Sequence, residues 1–213
     1  MTRTAIITGL TAIALAAIVL AGISASLAIA GSAGKHTERL NYRHIDAILL
    51  DNTQGHIHIT AGHSNSVTVE RTTQTLLTKA TSGAYLSGRV LHLESRRHGT
   101  VCQVDYRINT PAGVRLQITE QSAIVAIDGT PGNLAATNTD EGDLTLDLAK
   151  APQRLRASTH KGATDITVPR GAYAVTAIAT EGNKILTGVT VNRKANHSIQ
   201  ATTGSGDITI NGR

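Results

Sequence analysis

The chain has 213 residues and a formal net charge of +5, with no Phe, no Trp, four Tyr and a single Cys. That length suits one domain plus an appendage, and the mild charge, spread along the chain and without aromatic platforms, excludes a nucleic-acid binder. One cysteine, Cys102, excludes an intrachain disulfide; a small apolar side chain buried in a strand is its expected role.

The chain opens on an apolar segment. No charged residue stands between Arg3 and Lys35, and Ala5 to Ala30 is a run of Ala, Ile, Leu, Val, Gly, Ser and Thr. About 20 such residues cross a bilayer as a helix whose backbone polar groups satisfy one another. The run predicts one membrane anchor over residues 1–30, with the lipid bilayer as partner through Ala5 to Ala30. Its length exceeds a signal-peptide core, although Ala28-Ile29-Ala30 resembles a cleavage site, so secretion after cleavage is the alternative. With Arg3 before the run and Lys35 and Arg39 after it, flanking charge does not set orientation. The short N-terminal tail places the larger domain outside the cytoplasm, in the cell envelope, as a single-pass protein.

Residues 31–41 read as a juxtamembrane linker, and 42–213 as the ectodomain. Abundant β-branched residues and Thr favour strands. Period-two alternation follows in Gly55-His-Ile-His-Ile59, Ser66-Val-Thr-Val69 and Val90-Leu-His-Leu93. From Thr119 onward a turn signature recurs in Thr119-Glu-Gln-Ser122, Thr139-Asp-Glu-Gly142, Thr159-His-Lys-Gly162, Thr180-Glu-Gly182 and Thr203-Gly-Ser-Gly206. Ser122, Gly142, Gly162 and Gly182 fall about twenty residues apart; alternating strands follow Gly142, Gly162 and Gly206, and others precede the turns at Leu155–Thr159, Val175–Ala179 and Ile199–Thr203. The spacing predicts an all-β domain, a β-helix or β-solenoid of roughly twenty-residue repeats behind one N-terminal transmembrane helix. An antiparallel β-sandwich is the alternative. In the solenoid reading Gly142, Gly162 and Gly182 stack at one corner of successive circuits, with Leu144 and Leu146 in register with Ile166 and Val168.

Thr139-Asp-Glu-Gly-Asp-Leu-Thr-Leu146, Thr203-Gly-Ser-Gly-Asp-Ile-Thr-Ile210 and Arg107-Ile-Asn-Thr-Pro-Ala-Gly-Val-Arg-Leu116 resemble the bacterial "putative adhesin" family, related to GIN-type adhesin head domains. The resemblance runs from about Ile45 to Ile210 and rests on repeat texture. It implies a β-helical envelope domain, often behind an N-terminal membrane segment. The chain departs from the pattern at Ser122 and at Ala163-Thr164, where the Gly and Gly-Asp positions are lost.

Four sets of residues have side chains of the types that carry chemistry. His56 and His58 share a strand face, with His44 and His63 nearby, but a metal site needs three or four ligands, and solvated strand-face histidines are expected. Asp143 and Asp207 follow turn glycines and are expected to bond nearby backbone rather than hold calcium, which takes six to eight oxygens. Asp128, Glu141, Asp143 and Asp165 are the carboxylates a β-helical lyase or glycosidase would draw on, yet the chain lacks the Trp and Phe that usually stack sugars. Asn196-His197-Ser198 matches a glycosylation triplet and is read as chance. Neither catalytic, cofactor-binding nor metal-binding residues are therefore assigned, and no cofactor is expected. The expected function is non-enzymatic envelope binding or scaffolding, adhesin-like, with an unknown envelope protein or polysaccharide as partner and no nucleic acid; the alternative is a carbohydrate-active enzyme.

Overall fold

The computed structural model describes residues 26–32, 34–75, 81–96, 102–138 and 140–213. These carry sixteen strands. In chain order they are β1 (Ser26–Ser32), β2 (Lys35–Tyr42), β3 (Ala47–Thr75), β4 (Thr81–Ser87), β5 (Val90–Arg96), β6 (Cys102–Pro111), β7 (Arg115–Gly129) and β8 (Leu134–Asn138). The second half adds β9 (Leu144–Leu148), β10 (Arg154–Lys161), β11 (Thr164–Val168), β12 (Gly171–Glu181), β13 (Lys184–Thr187), β14 (Val189–Val191), β15 (Ser198–Ser205) and β16 (Ile208–Gly212). The domain is all-β, and its large mixed sheet stays open.

The expected N-terminal helix lies mostly outside the described residues. Its last five residues, Ser26 to Ala30, belong to β1, which pairs antiparallel with β2. Lys35–Tyr42, expected largely as linker, is strand β2, paired along its whole length with residues 67–74 of β3 and burying Leu40 and Tyr42. Alternation explains the difference: in Arg39-Leu-Asn-Tyr42 two apolar residues share one face, and that face joins the core. Among the described residues no helix is long and apolar enough to cross a membrane.

From β7 onward the pattern is simple. Each unit of about twenty residues gives one strand, a corner and a second strand. First strands stack in parallel, the first half of β7 beside β8, then β10, β15 and β12. Second strands stack in parallel as well, the second half of β7 beside β9, then β11, β16 and β13. β3 begins both stacks, its residues 47–52 and 54–61 pairing with β7. Leu144 and Leu146 lie opposite Thr164 and Ile166, parallel and in register. The strands after Gly142 and Gly162 thus pair in parallel at a step of twenty, and the antiparallel alternative does not hold for these strands; the expected partners of Leu144 and Leu146, Ile166 and Val168, are displaced by two residues, because equal distance from the corner glycine sets the register.

Register makes the core. Leu116, Leu134, Leu155 and Ile199 form one buried column, and Ile118, Ala136, Ala157 and Ala201 the next. In the other stack Ile127, Leu146, Ile166 and Ile210 line up, also buried. Both stacks contribute to one continuous apolar cluster. Strand alternation sends every second residue inward, so aliphatic columns supply the burial that Phe and Trp would otherwise give.

Two expectations are corrected in detail. First, the residue opposite Gly142 is Ala123 rather than Ser122, because Val125 pairs with Leu144 and the step between these units is one residue short of twenty. Second, Gly182 does not follow Gly162 in space. The unit holding β15 and β16, last in the sequence, lies between the units of β10–β11 and β12–β13. Pairing in a sheet is non-local, so a repeat period states what can pair and leaves the neighbour open.

At the other end the stacks finish in antiparallel strands. The first ends in the β5–β4 hairpin beside β3, and the second runs through β6, the returning arm of β3, then β2 and β1. β6 lies between the two arms of β3, so Tyr106 pairs with both Ile57 and Arg71.

Candidate functional site

The corner between the two strands of each unit is marked by a column of glycines. Gly162 has φ +137, and an added Cβ would stand 2.1 Å from the Gly142 carbonyl oxygen. Glycine is required there for two independent reasons, the left-handed-side backbone and the close approach of the next unit. The same contact repeats from Gly206 onto Gly162 and from Gly182 onto Gly206.

Carboxylates stand beside the glycines in two of the units, one residue later in the chain. Asp143 Oδ1 accepts the backbone N–H of Ala163 at 2.8 Å, and Asp207 Oδ1 accepts that of Asn183 at 2.7 Å. Each carboxylate caps the backbone of the neighbouring unit, 20 and 24 residues away in the chain, where sequence reasoning expected a bond within the same turn. Asp105, from β6, does the same for His56 N–H at 2.9 Å and also accepts from Gln103 Nε2 at 2.7 Å. Burial pushes the Asp105 carboxyl up, but the hydrogen bonds from Gln103 and His56 outweigh it and hold it below its ordinary value.

Beneath the corner, inward positions turn polar. Asn52, Glu120 and Asn138 pair side by side and are buried, continuing to Ser95 on one side. Asn138 Nδ2 donates to Ala123 O at 3.1 Å, while Thr159 Oγ1 and Thr203 Oγ1 bond each other at 2.9 Å and both reach Gly162 O. These side chains take up carbonyls that the tight corner turns inward. Burial pushes the Glu120 carboxyl up to about 8.

Over the corner, where Ala123 replaces glycine and Ile124 replaces the carboxylate, lies a furrow of about 580 Å³. Gln54, His56, Gln103, Ser122, Ile124, Glu141, Asp143 and Lys161 line it, drawn from four neighbouring units and β6. Ile124, 47% exposed, is an apolar patch among hydrogen-bonding groups. Glu141 and Lys161 bridge their backbones across adjacent units.

The candidate residues are divided by this geometry. Glu141 and Asp143 both line the furrow, whereas Asp128 is engaged elsewhere, 2.8 Å from His58 Nε2. Asp165 is exposed on β11. His56 and His58 are both exposed on one face, as alternation predicts, but each meets a different carboxylate, Asp105 at 3.2 Å for His56. His44 sits in a turn at φ 58, its carbonyl accepting from Arg89 Nε. The side chains of His63 and Cys102 are outside the described residues. Among the described residues no group of three His, Cys, Asp or Glu could hold a metal ion. His197, in the glycosylation-like triplet, points Nδ1 at Pro152 O at 3.0 Å and is part-buried. Sequence reasoning passed over Glu120, Asp105, Lys161 and Ile124. Ile124 had a signal, since Ile124-Val125 breaks the alternation of its strand.

No protein-family model matches the chain, and no curated protein does. Among solved structures, the chain is similar to a "putative cell adhesion protein" from Clostridium sporogenes, at 12% identity and TM-score 0.47, over 90% of this chain and 100% of that one. A "putative adhesin" from Bacteroides fragilis matches at 12% identity and TM-score 0.37, over 84% of this chain and 98% of that one. Another from Parabacteroides merdae matches at 11% identity and TM-score 0.27, over 87% and 99%.

Proposed function

We propose that this chain is a non-enzymatic, adhesin-like binding module of the bacterial cell envelope, which contacts an extended polar partner along the corner furrow. The observation that carries the reading is the furrow itself: it is open to solvent, spans several stacked units, and mixes amide, hydroxyl, imidazole and charged groups around one exposed isoleucine. A trench of that form suits shallow contact with a polypeptide or polysaccharide strand better than enclosure of a small molecule. We infer further that the two parallel stacks are opposite walls of a β-solenoid, each unit making one circuit, a reading supported by the one-for-one register and the shared core.

Membrane attachment belongs to the same proposal. With Ser26–Ser32 in a strand, the apolar run before it is Ala5 to Ala25, still about the 20 residues a crossing helix needs. The repeat domain would then stand directly outside the membrane.

The test uses the full chain in detergent micelles. Sedimentation with isolated envelope polysaccharide and with envelope protein fractions should give saturable binding to one of them, weakened about tenfold or more by Ile124→Asp combined with Lys161→Glu, as for a central interface contact. Turnover of the polysaccharide, abolished by Glu141→Gln, would overturn the non-enzymatic reading. Protection of the C-terminal domain from external protease in spheroplasts would overturn the topology.

A further inference from the structure

The two ends of the strand stacks differ. At the β4 and β1 end the first stack extends two strands beyond β3 and the second extends further, so no flush end is presented. At the other end both stacks stop at the same unit, β12 and β13. Among the described residues, 174–181 pair on one side only, with β15, and 184–187 only with β16.

This last unit is apolar where a terminal unit needs a polar cover. Ile178, Ile185, Leu186 and Val191 are 50, 49, 38 and 55% exposed, and Val175, Ala177 and Ala179 are only partly covered by the core. Leu186 occupies the column of Ile166 and Ile210, and it is exposed because nothing among the described residues lies beyond it. Stacked-repeat proteins cover such an end, and exposed apolar edges otherwise recruit another chain.

Charge identifies the cover. Glu181 and Lys184 flank the Gly182-Asn183 corner, and among the described residues neither has an ion-pair partner. Lys184 stands in the column of Thr164 and Ile208, a position that is buried in the preceding units. An apolar lid would strand that ammonium; a carboxylate partner would not. We propose that the open end is the interface of a two-fold dimer, in which β12 of one copy pairs antiparallel with β13 of the second.

The two-fold axis passes through the Gly182-Asn183 corner and into the core. It sets Glu181 against Lys184 of the second copy, Ala179 against Leu186, Thr180 against Ile185 and Ile178 against Thr187. In this register inward residues face inward residues and outward face outward, as a continuous sheet demands. Each pairing occurs twice, so both unpaired acids meet unpaired bases and both exposed Leu186 side chains are covered. Because the other end is not flush, the contact is isologous and closes at two copies instead of propagating into a filament.

Charge exchange tests this. Sedimentation velocity on the full chain in detergent should find a dimer. Lys184→Glu, which sets two carboxylates together at each pairing, should weaken it about tenfold or more, and Glu181→Lys with Lys184→Glu in one chain should restore the dimer. A wild-type β-sheet spectrum and a cooperative thermal transition in the variants, by circular dichroism, establish that they fold. A chain that is monomeric, or that forms open-ended polymers, overturns the proposal; so does a dimer indifferent to Lys184→Glu, which would place association elsewhere, or a double exchange that fails to restore it.

Discussion

Replacing Glu120 with glutamine should make the protein more stable at neutral pH and flatten its pH profile. Glu120 is 1% exposed on β7, between the buried Asn52 and Asn138, and burial raises its carboxyl from about 4.5 to about 8. Below pH 4.5 both folded and unfolded chains hold the proton and the group's contribution is fully present. As pH rises, the unfolded chain releases its proton while the folded one retains it, so stability falls by about 1.4 kcal/mol per pH unit and levels off above about 8. The full loss is up to about 5 kcal/mol, with about 2.5 kcal/mol of it between pH 5 and 7. For a domain of this size that is roughly 5 to 10 °C in Tm. Asp105, held below its ordinary value, contributes stability that is lost only as pH falls through the lower carboxylate range, outside this window. Thermal unfolding by circular dichroism across pH 5 to 8 measures the difference between wild type and Glu120→Gln. Parallel profiles, with no gain for the variant at pH 7, would refute the placement of a protonated carboxyl in the core.

Ile166→Asp buries a charge between Leu146 and Ile210 and should cost at least about 4 kcal/mol, whereas Asp165→Ala, on the exposed face of the same strand, should stay within about 0.5 kcal/mol in denaturant titration. Gly162→Ala forces a Cβ against the Gly142 carbonyl in a backbone glycine favours, and should cost about 3 kcal/mol or more by the same assay, with the register on both sides disturbed in amide exchange. Asp143→Ala removes the cap on Ala163 N–H and should cost about 1 to 2 kcal/mol; faster exchange of that amide should accompany the loss.

The parts of this fold that repeat locally were legible in the sequence. Alternation located the inward residues of β9, β11 and β16, and the Thr-x-x-Gly signature located the corner, because a corner that needs positive φ and a close neighbour leaves glycine as the residue that fits. Where side chains do not report position, the sequence was silent. A spacing of twenty between Gly162 and Gly182 said that their units could stack, and it could not say that Gly206, twenty-four residues past Gly182, would come between them. Glu120 could have been suspected, since it takes the inward phase after Leu116 and Ile118, as do Asn52 after Leu50 and Asn138 after Ala136. The furrow was harder to see: its residues come from units far apart in the chain, and only the register joins them.

The misordered unit bears on how the protein is made. Residues 198–212 leave the ribosome after both of the units they lie between. The unit of β12 and β13, spaced twenty residues from that of β10 and β11, has the register to dock there first. In the finished fold that position belongs to residues 198–212. A chain truncated before Ser198 would therefore lose an interior layer of the stack, with the units on either side free to close on one another in simple sequence order.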